Sequence, residues 1–205
     1  MNKIHIITII TIITIIAIML GVLPGTSCNP PAATPGKDVT ESSEIKEESI
    51  YLAEGKWDNQ NGDTLQLADF KGKIPVVSMV FTKCTFACPR IVGDMQAIEK
   101  QVPADKKDQV VFVLVSFDSD RDHTGELKQF TRQMNLGDNW QVLHGDEESV
   151  RELSMLLDVK YKKQDNGDFS HSSSIALLDT EGAIVGRVDG LGADPAPIVR
   201  KLGQL

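Results

Sequence analysis

The sequence predicts an α/β domain in which a mixed β-sheet is covered on both faces by helices. Three observations predict it. Two apolar, β-branched runs at residues 74–81 and 110–117 read as strands buried on both faces. Segments with helical spacing of apolar residues follow each of them. A hairpin pattern and a short helix close the chain, so strands and helices alternate as they do in sheets sandwiched between helices.

The elements follow in order. Residues 57–67 read as a β-hairpin, because Asn61-Gly62 is a strong turn signal with Leu65 and Leu67 alternating after it. The buried run 74–81 leads directly into Cys84 and Cys88. Pro89 then opens a helix with Ile91, Val92, Met95 and Ile98 on one side. After the second buried strand, residues 125–134 are helical, with Leu127, Phe130 and Met134 on one face. Residues 140–143 form a short strand, and residues 147–157 a helix facing inward through Val150, Leu153 and Leu157. Residues 174–178 and 183–188 form a hairpin around Asp179-Thr180-Glu181-Gly182, and residues 197–202 a last helix.

The N-terminus sets the compartment. Residues 4–23 are overwhelmingly apolar and follow Lys3. About 20 apolar residues suffice to cross a bilayer, and a basic start with an apolar middle also fits an export signal. Cys28 follows Pro24-Gly25-Thr26-Ser27, which resembles a bacterial lipoprotein cleavage site, with Gly25 where a branched aliphatic residue is usual. Lipidation at Cys28 would account for the odd third cysteine; an uncleaved helical anchor is the other reading. Both tether the chain on the extracytoplasmic face of a bacterial membrane, in the periplasm or at the cell surface. Residues 1–28 are therefore expected to be a signal or anchor and residues 29–53, rich in Pro, Glu and Ser, a disordered linker. Residues 54–205 are expected to be the domain. The formal net charge of −8 argues against nucleic-acid binding, which needs clustered Lys and Arg.

Chemistry concentrates in Cys84-Thr85-Phe86-Ala87-Cys88-Pro89. A residue before proline is pushed away from the α region, which places Cys88 just ahead of the first helical turn. Both sulfurs then face unpaired N–H groups at the positive end of the helix, a setting expected to lower thiol pKa. The Cys-x-x-x-Cys spacing permits an ion between the sulfurs and equally permits thiol–disulfide chemistry. Two thiolates and a neutral imidazole suit Cu(I). Four histidines are present: His5 lies in the export segment, His123 and His144 read as surface residues, and His171 precedes a strand from which a loop can fold over the cysteines. The residues alone leave the choice open.

The chain resembles the Sco/SenC family over nearly all of residues 52–205. The resemblance is carried by Gly72-Lys73, Phe81-Thr82-x-Cys84-x-x-x-Cys88-Pro89, Asp118-x-x-Arg121-Asp122, and His171-Ser172 ahead of Ile175-Ala-Leu-Leu-Asp179. It implies a thioredoxin-like fold with an N-terminal hairpin extension, and copper held by Cys84, Cys88 and His171, as Cu(I) first and Cu(II) beside it. It implies delivery of copper to, or thiol reduction at, the dinuclear copper site of a respiratory oxidase, with another cuproprotein as the alternative acceptor. Thiol–disulfide exchange on an extracytoplasmic partner is the competing function, and a structural Cys84–Cys88 disulfide the blandest one. Asp118, Arg121 and Asp122 are candidates for supporting the copper loop, or for a plain turn held by an Arg–Asp pair. The chain departs from the family at Thr85, where proline is usual. It departs again at Ser170, where an aspartate commonly supports the histidine ring, and at His123-Thr124, where Thr-Pro is usual.

Overall fold

The computed structural model describes residues 49–205. Its strands are β1 Lys56–Asn59, β2 Thr64–Gln66, β3 Ile74–Val80, β4 Val110–Ser116, β5 Trp140–Gly145, β6 Tyr161–Lys163, β7 Phe169–His171, β8 Ser174–Leu178 and β9 Ile184–Asp189. Its helices are α1 Ala87–Glu99, α2 Thr124–Gln133, α3 Glu147–Leu156 and α4 Ala196–Leu202. Seven strands form one sheet in the order β2-β1-β5-β4-β3-β8-β9, while β6 and β7 pair separately. Strands β3, β4 and β5 run parallel, and the strands at both flanks run antiparallel. This is the mixed, helix-covered sheet expected, thioredoxin-like with an N-terminal hairpin.

Every residue of β3 is buried, as its uninterrupted apolar run requires, and it pairs with β4 along its full length. Ile91, Val92, Met95 and Ile98 form the buried face of α1, and Leu127 and Phe130 that of α2. Phe112 on β4 and Trp140 on β5 stack with ring centroids 4.8 Å apart.

The N-terminal hairpin is held by polar as well as apolar groups. The Asn59 side chain accepts from the Asn61 and Asp63 N–H groups at 2.8 and 3.0 Å, closing the turn at Gly62, whose φ is +91°. The buried Gln60 amide donates to the Trp140 carbonyl and accepts from Val142 N–H, both at 2.9 Å, stitching the hairpin to β5. Trp57 is fully buried opposite Gly145, where an added Cβ would lie 2.8 Å from the indole. Glycine at 145 is what admits the tryptophan.

Three features differ from the sequence expectation. Order begins before residue 54: a 3-10 turn at Ile50–Leu52 buries Ile50, whose N–H reaches the Gly182 carbonyl at 3.0 Å. Ile50 opens the run Ile50-Tyr51-Leu52-Ala53, four residues at the end of a charged stretch and too short to show a period, so composition alone missed it. The rest of the expected linker and the export segment, with His5 and Cys28, lie outside the described residues. Second, α1 starts at Ala87, so Cys88 lies inside the first turn and not before it. Pro89 is then the third helical residue, where the N–H it lacks would have no intrahelical partner. Third, the β6–β7 hairpin was not anticipated. Its three-residue strands are too short to show alternation, although Asn166-Gly167 at its turn, with Gly167 at φ +82°, was a usable signal. Among the described residues no helix is long and apolar enough to cross a membrane.

Candidate metal centre

The cysteine loop leaves the carboxyl end of β3 and is fixed at its base by a carboxylate. Asp122, fully buried, accepts from the Thr82 N–H at 2.7 Å, the Thr82 hydroxyl at 2.5 Å and the Ser116 hydroxyl at 2.6 Å. Cys84 N–H turns back onto the Phe81 carbonyl at 3.2 Å. The Cys84 sulfur accepts from Cys88 N–H at 3.2 Å, one of the donors left free in the first helical turn. The Cys88 sulfur instead accepts from Phe81 N–H at 3.5 Å. Only one of the two sulfurs therefore meets the helix end as expected.

Both thiols are free. Cys84 is half-buried and Cys88 is wholly buried. Desolvation pushes the Cys88 thiol well above its ordinary range, against the smaller lowering effect of Phe81 N–H. This corrects the expected lowering: withdrawal from water outweighs the helix end for the inner cysteine. A coordinated metal reverses that balance, because a thiol that ligates an ion is deprotonated by it.

The third side chain arrives from the β6–β7 hairpin. His171 ends β7, and its Nδ1 lies 3.0 Å from the Ser172 carbonyl oxygen. A carbonyl only accepts, so Nδ1 carries the proton and Nε2 keeps its lone pair for a ligand. The support expected from a carboxylate at position 170 is thus supplied by main chain. Ligand atoms of Cys84, Cys88 and His171 all lie within 4.8 Å of one another, the only such group of His, Cys, Asp or Glu found among the described residues. His123 and His144 lie elsewhere, at the start of α2 and on β5.

Aromatic packing holds the hairpin, and the sequence reading did not foresee it. Phe117 stacks on Tyr161 at 5.3 Å and packs against Phe169 at 5.0 Å and His171 at 4.9 Å. Phe81 meets Phe169 at 5.3 Å and the His171 ring edge-on at 6.3 Å. The signal was available: an aromatic residue directly follows each of the two buried strands.

The group at 118–122 acts at one remove. Arg121 donates to the Asp118 carboxylate and to the Gly167 carbonyl, and its guanidinium lies 5.9 Å from the Phe169 ring centre. It therefore ties the loop after β4 to the turn of the β6–β7 hairpin. Asp118 is buried, which raises its pKa, while the Arg121 hydrogen bond opposes that rise. Asp118 and Arg121 secure the hairpin that carries His171, and Asp122 secures the loop that carries the cysteines.

Comparison with known proteins agrees with this geometry. A family model described as SCO1/SenC matches residues 47–205. The SCO1 protein homolog of Bacillus subtilis (strain 168) is 29% identical over 157 residues, spanning 74% of this chain and 81% of the relative. The structure of a SCO1/SenC family lipoprotein from Bacillus anthracis str. Ames superposes with a TM-score of 0.67 at 28% identity, covering 73% of this chain and 91% of the other. Arabidopsis thaliana ScoI, solved with copper bound, shares the fold at a TM-score of 0.65 and 19% identity, over 74% of this chain and 97% of that one. A family match that spans the whole described domain, together with two cysteines and a histidine gathered at one point, settles the relationship: the chain belongs to the SCO1/SenC family.

Proposed function

We propose that this chain binds copper through Cys84, Cys88 and His171 and hands it, as Cu(I), to the dinuclear copper site of a respiratory oxidase. The observation that carries the reading is the convergence of two free thiols and an imidazole with its Nε2 lone pair unused. Two sulfurs and one nitrogen fit a soft monovalent ion that accepts few ligands, whereas structural zinc would want a fourth protein donor. Cu(I) with two thiolates leaves a charge of about −1, which Cys88 N–H and Phe81 N–H help to hold. A half-buried outer cysteine and a histidine on a separate two-stranded hairpin suit a cargo that must leave again. A membrane tether, by lipid on Cys28 or by the N-terminal apolar segment, would keep the domain beside a membrane-embedded acceptor.

The test is anaerobic Cu(I) titration of the protein beside Cys84→Ser and His171→Ala variants. One Cu(I) per chain is expected. Cys84→Ser should abolish tight binding, and His171→Ala should weaken it by at least about tenfold, since losing even an outer partner of a ligand costs roughly 10–100-fold. Undiminished affinity in His171→Ala would remove the histidine from the site.

One observation favours a second reading, thiol–disulfide exchange: Cys84 is accessible while Cys88 is buried behind it. The Cys84 thiolate would attack a partner disulfide and release one partner thiolate. Cys88 would then attack the mixed disulfide and release the second, leaving a Cys84–Cys88 disulfide and a partner reduced by two electrons. Reduction of an oxidised dinuclear-site peptide by a protein with negligible Cu(I) affinity would select this reading over the first.

A further inference from the structure

A second, looser cluster of side chains able to ligate lies on the same rim of the sheet, away from the cysteines, its donor atoms further apart than those of the first. His144, near the carboxyl end of β5, faces Asp58 on β1 as its direct cross-strand partner, with Nε2 3.7 Å from Asp58 Oδ2. The His123 ring, at the start of α2, stands edge-on to His144 with centroids 5.4 Å apart. Neither nitrogen of His144 has a hydrogen-bond partner: Nδ1 is buried without one, and 3.7 Å exceeds hydrogen-bond reach. Asp58 Oδ1 is engaged by the Thr64 hydroxyl at 2.5 Å, which orients the carboxylate.

We infer that His123, His144 and Asp58 form a binding site for a borderline divalent ion of the copper(II) or zinc class. Two imidazoles and one carboxylate are the donor set such ions prefer, and Cu(II) binds it more tightly than its first-row neighbours. Ligand atoms bonded at 2.0–2.1 Å to one ion stand about 3–3.4 Å apart. Asp58 and His144 therefore need close by only a few tenths of an ångström. His123 is exposed, and its ring would turn onto the ion by leaving the capping box at the start of α2, where it faces the Glu126 N–H. Burial lowers the His144 pKa, which keeps the imidazole neutral and able to ligate. The positive end of α2 works against a cation here, and Glu126, which accepts from His123 N–H at 3.3 Å, offsets it together with Asp122 nearby. Strand β4 alone separates β5 from β3, so the site lies two strand spacings, roughly 10 Å, from the base of the cysteine loop.

The test uses the full chain carrying Cys84→Ser, Cys88→Ser and His171→Ala, which removes the first site. Cu(II) titration followed by electron paramagnetic resonance should show one tightly bound ion with nitrogen coupling from two imidazoles. Adding His123→Ala should leave one coupled nitrogen and weaken binding by at least about tenfold, and Asp58→Asn should weaken it without changing the nitrogen count. Both residues are accessible, so neither change depends on the core. Failure of the triple variant to hold Cu(II), or equal affinity and nitrogen count after His123→Ala, overturns the assignment.

Discussion

Asp122→Ala tests whether the cysteine loop is held from below. The carboxylate accepts three hydrogen bonds, from Thr82 N–H, Thr82 hydroxyl and Ser116 hydroxyl, and neither Asp122 nor Ser116 is accessible to solvent. Hydrogen bonds to a charged acceptor contribute about 1.5–3 kcal/mol each, and a buried donor left unpaired costs about 1–3 kcal/mol. Thr82 is only partly buried, so its hydroxyl can turn to water. The Thr82 N–H and the Ser116 hydroxyl cannot do so as readily. Two unrecovered losses give roughly 3–5 kcal/mol, a large part of the total stability of a domain this size. At about 2–4 °C per kcal/mol the melting midpoint should fall by roughly 6–20 °C.

Urea denaturation of the metal-free protein reads the free energy, and a double-mutant cycle with Ser116→Ala isolates the buried hydroxyl bond. Coupling above about 1 kcal/mol is expected for residues in direct contact. Asp122→Asn should fall between wild type and alanine, because it keeps one acceptor oxygen and replaces the other with a donor that faces donors. A loss under about 1 kcal/mol for Asp122→Ala, or strict additivity with Ser116→Ala, would refute the idea that this carboxylate anchors the loop.

Two further perturbations probe other parts of the design. Arg121→Met removes the tie from Asp118 to the Gly167 carbonyl while keeping an apolar stem against Phe169. Amides of residues 161–171 should exchange at least about tenfold faster and Cu(I) affinity should fall, with the exchange of β3 and β4 amides unchanged. Asp146→Ala removes the cap of α3, where the carboxylate accepts from Ser149 N–H at 2.8 Å, at a cost of about 1 kcal/mol in urea denaturation. That hydrogen bond holds the Asp146 carboxyl below the usual carboxylate range. A depressed folded pKa contributes stability above the unfolded value and loses it as pH falls through the folded one, so the gap between wild type and Asp146→Ala should narrow in acid.

The parts of the fold that declared themselves in the sequence are those whose burial has a period. The runs at 74–81 and 110–117 are apolar without interruption because helices cover both faces of the central strands, and the buried face of α1 repeats at helical spacing. Where burial has no period, the sequence was mute. Ile50 and Ala53 are buried within a run of only four apolar residues, and β6 and β7 are three residues each. The depth of Cys88 was hidden for the same reason: local chemistry pointed to a helix end, while its protonation is governed by atoms of other elements packed around it.

The histidine shows how those two regimes meet at the candidate site. From residues alone, His171 was one choice among four, and only the family resemblance singled it out. Its position follows from side chains that ligate nothing. Phe169 and Tyr161 have no depth of their own in a two-stranded hairpin, which is marginal in isolation. They gain it by packing on Phe81 and Phe117, which cap the two central strands at the rim where the cysteines emerge. Burying those rings draws the hairpin across the cysteine loop, and Arg121 fixes its turn. His171, directly opposite Tyr161 in the hairpin register, is then carried to the sulfurs. The Ser172 carbonyl orients the ring, and the exposed Ser170 takes no part in that support. The Cys84, Cys88 and His171 group is thus brought together by hydrophobic packing and main-chain hydrogen bonding, and in the proposed function an ion would have to organise only two sulfurs and one nitrogen.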